Sequence, residues 1–438
     1  MLGAFRSAFA TPDLRKKILF TLGIVAVYRL GATLPSPGVS YVNIQACIDQ
    51  VEGGENQSVY SLINLFSGGA LLQLSVFALG IMPYITASII VQLLTVVIPR
   101  FETLKKEGQS GQNKLTQYTR YLTIALAVLQ STGIVALAVR GQLFQGCDQE
   151  VIPDQSVFNL IVVVTVMTAG TGVIMWLGEL ITERGIGNGM SLLIFCSIAA
   201  RIPFEGKNIL DQSSVVFTAV CVFALAIIAS VVFVEQGQRR IPVQYAKRMI
   251  GRRMYGGTST YLPLKVNQAG VIPVIFASSL LYLPDLVSRL TQSNTTEPSW
   301  WQRFIANYVA DQGSWVHILM YFAMIIFFTY FYVGITFNPD ERADEMKKFG
   351  GFIPGIRPGR PTAEYLKFVL SRITLPGSLY LGVIAVLPNL FLDITGDGQN
   401  QNFPFGGTAV LIMVGVGLDT VKQIESQLMQ RNYEGFLR

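Results

Sequence analysis

Residues 60–98 read YSLINLFSGGALLQLSVFALGIMPYITASIIVQLLTVVI, and none of them is charged. As one straight helix this run would extend about 58 Å, at about 1.5 Å per residue. A bilayer's hydrocarbon core is about 30 Å thick, which about 20 helical residues cross. The run is therefore too long for one span, and it holds no loop long enough to leave the membrane and return. It must break at Ser67-Gly68-Gly69, where the helix-breaking residues cluster. The expected outcome is a short, mildly amphipathic piece before the break and a full span after it, over residues 75–98. A half-helix that ends at membrane depth survives only where protein buries it or where it borders a water-filled cavity. The break is thus a first pointer to a pore or a substrate site.

Composition places the rest of the chain in the same solvent. Of 438 residues, 51% are hydrophobic and 14% charged. Mean hydropathy is +0.46, whereas a soluble protein has about 25% charged residues. The fold class is all-α and polytopic. The N-terminus MLGAFRSAFATPDLRKK is polar and basic and runs into an apolar stretch of spanning length, so no cleavable signal peptide is expected. Cys196 and Cys221 fall in apolar runs and read as packing residues. Cys47 and Cys147 lie in loops on one side, where a disulfide is open but not required by their spacing.

Apolar runs bounded by charge, Pro and Gly give ten spans, near 18–34, 75–98, 119–139, 157–178, 188–202, 214–234, 267–288, 315–337, 371–390 and 407–427. Alternate connections differ sharply in Lys and Arg. Residues 1–17, 99–120, 179–188, 235–266, 338–370 and the C-terminal tail carry the basic clusters, whereas 35–59 has none and the remaining connections have few. The positive-inside rule puts both termini and all the basic loops in the cytoplasm. Two of those loops, 235–266 and 338–370, are longer than a helix connection needs. Long connections in a compact protein usually carry function. Two basic hairpins suit a large anionic or acidic partner, such as an ATPase or a ribosomal RNA surface.

Patterns for chemistry fail. Asp419, Lys422 and Arg29 lie within snorkelling reach of an interface, and Glu179 and Glu183 border a cytoplasmic turn. No carboxylate or His stands clearly at midplane, as a coupled pump would need. Gly185-Ile186-Gly187-Asn188-Gly189 follows an apolar helix and precedes no Lys-Ser/Thr, which argues against a nucleotide loop. Ser67 as a nucleophile would need a base, and the single His317 reads as an interface residue at the start of the eighth span. No catalytic residue, metal site or cofactor is expected. What the spans do contain is aliphatic residues beside small residues and Pro, as in Gly80-Ile81-Met82-Pro83-Tyr84-Ile85 and Gly270-Val271-Ile272-Pro273-Val274-Ile275. Taken alone these are core-packing patterns.

Several longer pieces carry a resemblance: LINLFSGGAL (62–71), ALGIMPYITASII (78–90), GELITERGIGNGMS (178–191), EQGQRRIPVQYAKR (235–248), LPLKVNQAGVIPVIFASS (262–279), FNPDERADEMKKFGGFIPGIRPG (337–359) and GGTAVLIMVGV (406–416). In these, and over essentially the whole chain, the sequence resembles the SecY family, the central channel subunits of the bacterial Sec protein translocase. The resemblance implies two inverted, pseudo-symmetric halves of five spans each, 1–202 and 203–438, around an hourglass pore that opens sideways to lipid. It implies a half-helix plug over about 60–72, including Leu65, Phe66, Ser67, Gly68 and Gly69. It implies a constricting ring of Ile81, Ile85, Ile194, Ile275 and Ile412, with Ile272 a further candidate, and a polar lateral gate of Thr86, Gln130 and Asn267. Docking of a motor ATPase or ribosome would use Arg239, Arg240, Lys247, Arg248, Arg252, Arg253 and Arg357. The implied partners are SecE and SecG, the SecA motor, the ribosome, signal-bearing polypeptides and accessory SecD and SecF, in the bacterial plasma membrane. The reading from residues alone keeps an inverted-repeat transporter of a small solute as the alternative.

Overall fold

The computed structural model describes residues 9, 11–51, 67–141, 147, 149–212, 214–245, 248–250, 253–255, 259–291, 299–310, 314–395 and 407–434. Among the described residues, fourteen α-helices follow in chain order: α1 Pro12–Thr33, α2 Tyr41–Val51, α3 Met82–Val97, α4 Pro99–Lys106, α5 Gln109–Val139, α6 Val157–Arg184, α7 Gly189–Gln212, α8 Ser214–Gln236, α9 Ile272–Thr291, α10 Trp300–Phe304, α11 Trp315–Thr336, α12 Pro339–Lys348, α13 Arg360–Thr395 and α14 Gly407–Glu434. A π-helix, Ile305–Ala310, follows α10. Among the described residues, α5, α6, α8, α11, α13 and α14 hold stretches long and apolar enough to cross a bilayer unaided. A seventh joins them if α3 and α4 count as one span bent by 100°. Shorter apolar helical stretches cover Gly189–Pro203 and Ile272–Leu281. Each of the ten expected spans overlaps one of these helices or α1.

Local sequence sets the ends. Ser156 caps α6 by accepting from Asn159 N. Before α12, Asn338 accepts from Asp340 N. Pro339 opens the helix, Asp340 and Glu341 fill its first turn, and Lys347 and Lys348 its last, so these charges complement the helix dipole.

Four expectations change. The second span becomes helical only at Met82, because residues 68–81 form a run of turns with positive φ at Gly68, Gly69, Leu74 and Gly80. The apolar stretch of the fifth span, Gly189–Pro203, agrees with the expected 188–202, but its helix runs further. Helix α7 continues through Pro203 to Gln212 and takes up the expected outer loop, so the boundary drawn at 202–203 falls inside it. The 289–314 connection contains α10 and the π-helix, which packs on α9 and α11. Arg29, read as snorkelling to an interface, turns instead to the Gly68 carbonyl.

The two long basic loops are not separate hairpins. Strand β1 (Gln238–Tyr245) pairs antiparallel with β4 (Ser259–Lys265), from Gln238↔Lys265 to Gln244↔Ser259. Strands β2 (Arg248–Ile250) and β3 (Arg253–Tyr255) pair beyond them. Strand β5 (Gly351–Phe352), from the second loop, adds to the free edge of β1. Ile241 and Val243 face inward and their neighbours outward, as the two-residue strand period requires. Ile241, Leu264, Ile353, Leu366 and Val369 form the lobe's own core, which joins the sheet to α13.

Within the helical body, one apolar cluster draws only on residues 39–167 and another mainly on residues beyond 220, with Ile85, Ile89 and Leu93 of α3 pressed against it. A third takes residues from both regions. Cys47 and Cys147 form a disulfide with 5.4 Å between their Cα atoms. It fastens α2 over Leu71, Leu74, Ala78 and Leu79, all in the cluster that buries Cys47.

Candidate functional site

The break in the opening run is built in detail. Ser67 is buried, and its Oγ accepts from Leu71 N at 3.1 Å, which turns the chain back on itself. Gly68 and Gly69 have φ of +67° and +93°, a backbone that L side chains rarely adopt. Arg29 Nη1 donates to Gly68 O at 3.3 Å, so the first span holds the break by a cation. The following turns are pinned from both sides. Ser36 N donates to Leu74 O at 3.1 Å, and Val76 N to Leu34 O at 2.9 Å. On α6, a Cβ at Gly170 would collide with Val76 O. Only a glycine lets that helix lie against the backbone there. Tyr28 and Ser197 hydrogen-bond at 2.6 Å beneath this region and join α1 to α7. Leu65 and Phe66 lie outside the described residues.

Immediately after the break, Ala70 enters the apolar cluster shared by both regions of the chain. Ile81, Ile194, Ile275 and Ile412 are buried members of it, and Ile85 packs against it. These five isoleucines come from the start of α3, from α7, from α9 and from α14. The structure therefore gathers all five at one place, next to the break. Ile272 packs instead on the cluster of the C-terminal region. Branched aliphatic side chains from four helices thus share one apolar cluster and bring no hydrogen-bonding group to it.

The three polar gate candidates are all buried but have different neighbours. Thr86 Oγ1 donates to Met82 O one turn back on α3, at 3.0 Å. Gln130 lies on α5, which packs along α3 and touches α9. Asn267 donates from Nδ2 to Glu235 and, at 3.1 Å, to Gly270 O, so it faces the end of α8. Glu235 was not singled out from the sequence. The available signal was that it alone is acidic at the end of the long apolar run 214–234. Also unforeseen was the pair Arg120–Glu179, at 2.9 and 2.7 Å, which joins α5 to α6.

Of the basic residues, Arg239 and Arg240 are exposed on β1, and Arg357 is exposed in the turn before α13. Backbone alone is described for Arg248 and Arg253, and Lys247 and Arg252 lie outside the described residues. His317 is buried rather than interfacial, and its Nδ1 lies 2.6 Å from Val309 O in the π-helix. It thus secures the π-helix to α11, while Ser67 is engaged with Leu71. Among the described residues no group of His, Cys, Asp and Glu is placed to hold a metal.

Comparison with known proteins agrees with this architecture. The SecY family model matches residues 75–421. The protein translocase subunit SecY of Mycobacterium tuberculosis is 73% identical over 441 positions, covering 100% of both chains. That of Streptomyces coelicolor is 65% identical over 445 positions, again covering 100% of both. Among solved structures, a protein-conducting channel aligns with TM-score 0.64 and 19% identity over 94% of this chain and 91% of that one. Sec61 in the canine ribosome–channel complex from the endoplasmic reticulum aligns with TM-score 0.61 and 18% identity, over 94% and 91%. A broken second span, five isoleucines gathered beside the break, and relatives of this identity over the full length lead to one assignment: the chain belongs to the SecY family.

Proposed function

We infer that this multi-pass membrane protein is a protein-conducting channel of the translocase type. The observation that carries this reading is the convergence of Ile81, Ile85, Ile194, Ile275 and Ile412 in one apolar cluster against Ala70. An aliphatic ring closes around an extended polypeptide of any sequence, because it demands no particular hydrogen bond. Residues 60–72 act as the plug, with Arg29 and the double glycine at its root. The two halves clasp the ring and part between α3 and α9, past Thr86 and Gln130. A signal helix of about 20 apolar residues gains free energy on leaving for lipid, and that gain can drive the parting.

The channel breaks no bond itself, so ATP hydrolysis belongs to a separate motor. The sheet lobe with Arg239, Arg240 and Arg357 is the docking surface for that motor, SecA, and for the ribosome. SecE and SecG are the small membrane companions, with SecD and SecF accessory. The Lys/Arg asymmetry supports a plasma-membrane orientation with both termini cytoplasmic. The Cys47–Cys147 disulfide supports the same orientation, since disulfides persist outside the reducing cytosol.

The experiment is a planar-bilayer recording of the channel carrying Ile85→Asn and Ile275→Asn. Polar ring positions should wet the constriction, raise resting ion conductance at least several-fold and relax selection for signal sequences. Conductance equal to that of the parent channel would overturn the ring.

A further inference from the structure

We propose that Glu235 is a positioning residue that latches the cytoplasmic entry of α9 through Asn267, and that a partner moving the sheet lobe releases it. The inference rests on the channel reading above and names the contact by which docking would reach the gate helix.

Three observations lead to it. First, Glu235 stands in the last turn of α8, partly buried. A carboxylate there faces the negative end of the helix dipole and loses hydration, so position and burial both disfavour it. What it gains is a hydrogen bond from Asn267 Nδ2, from the far side of the whole β1–β4 hairpin. Second, Asn267 is only 3% exposed, yet its Oδ1 has no hydrogen-bond partner among the described residues. A buried carbonyl without a partner is costly. The arrangement therefore secures Asn267 through its amide nitrogen, on Glu235 and on Gly270 O.

Third, the mechanical path is short. Strand β4 ends at Lys265, two residues before Asn267. Val266 N donates to Gly237 O at 3.0 Å, so the hairpin ladder continues to the very end of α8. After Asn267 the chain turns at Gly270, φ +61°, and α9 begins at Ile272. Behind it, a Cβ at Gly377 of α13 would come within 2.5 Å of Val266 O, so α13 backs the segment closely. A further tether on this segment is Lys265–Asp419, at 3.5 Å with both side chains largely exposed, and a pair of that kind holds weakly. A displacement of β4 against α8 thus strains the Glu235–Asn267 bond together with the Val266–Gly237 bond, and breaking them frees the helix that carries Ile275.

The test uses the reconstituted translocase in proteoliposomes, with Glu235→Cys and Asn267→Cys combined. At rest the two cysteines should crosslink in high yield under mild oxidation. The crosslink should cut preprotein translocation at least tenfold, and reductant should restore it, while the parent channel given the same oxidant and reductant changes little. Docking of a ribosome bearing a nascent chain should lower the crosslinking yield several-fold, a readout that a merely structural bond would not give. Parent-like translocation by the crosslinked channel, or a yield indifferent to docking, would overturn the latch. Glu235→Leu should raise translocation of a preprotein with a defective signal at least threefold, with Glu235→Gln, which can still accept from Asn267, close to the parent. Equal behaviour of the two variants would contradict the proposal. A parent channel that moves no preprotein at all would instead overturn the channel reading itself.

Discussion

Arg29 ties the first span to the break in the second by one hydrogen bond. Its guanidinium bonds the Gly68 carbonyl at the root of the plug, where φ values of +67° and +93° leave no regular helix to hold the chain. Arg29→Leu removes that hydrogen bond, worth about 1 kcal/mol at this length and partial exposure. If the bond exists only in the closed state, the open fraction should rise about fivefold. Single-channel recording should show more frequent resting openings of unchanged unit conductance, and unchanged opening frequency would remove Arg29 from the plug's support. The sequence made the double glycine legible, because helix breakers in an uncharged run have few other uses. It did not make Arg29's partner legible. A cation near a span's end reads as snorkelling, and only the fold brings position 68 to it. Asn267 is similar: motif position puts it with Thr86 and Gln130, whereas its hydrogen bonds run to Glu235 and Gly270.

At the scale of elements, apolar run length located the spanning helices, because burial in lipid demands it. Ends and loops were less legible. Helix α7 passes through Pro203, since a proline in a membrane helix can have its lost hydrogen bond compensated by neighbours. Strand β5 is two residues long, and only the three-dimensional approach of the two loops pairs it with β1. Helix α2 lies outside the spans, and its Ile44, Cys47, Ile48 and Val51 recur at helical spacing within what was read as a loop; with its disulfide it covers the turns that follow Gly69. The disulfide joins cysteines 100 residues apart. Closing a loop of that length contributes up to about 4.7 kcal/mol in the chain-entropy view. Replacing Cys47 and Cys147 by Ser should therefore lower the midpoint of thermal unfolding in detergent by several degrees. The same loss should follow reductant in the parent, and a variant with Cys196→Ala and Cys221→Ala should keep that sensitivity to reductant. A parent insensitive to reductant would contradict a stabilising disulfide.

For the molecule as a whole, the proposed two halves with one shared seam rest on how three of the apolar clusters divide the chain. One cluster stays within residues 39–167, one lies mostly beyond residue 220, and the cluster with the five isoleucines takes side chains from both. The sheet lobe hangs on the second body and reaches the gate helix through β4 and Asn267. The helices that overlap the expected spans followed from hydropathy, whereas sidedness rests on the Lys/Arg asymmetry alone. The gathering of the isoleucines did not, because periodicity places each on a helix face without saying which faces meet; that much came from motif resemblance. The central claim, that a polypeptide passes through this seam, has a direct measurement. Ile85→Cys is introduced into the reconstituted translocase and a secretory chain is arrested halfway through. The account predicts that the thiol introduced at position 85 crosslinks to the residues of the chain then at the constriction, and that the crosslinked residue advances as the chain is lengthened before arrest. No crosslink from that thiol, with efficient crosslinks from lipid-facing positions such as Val222, would contradict it.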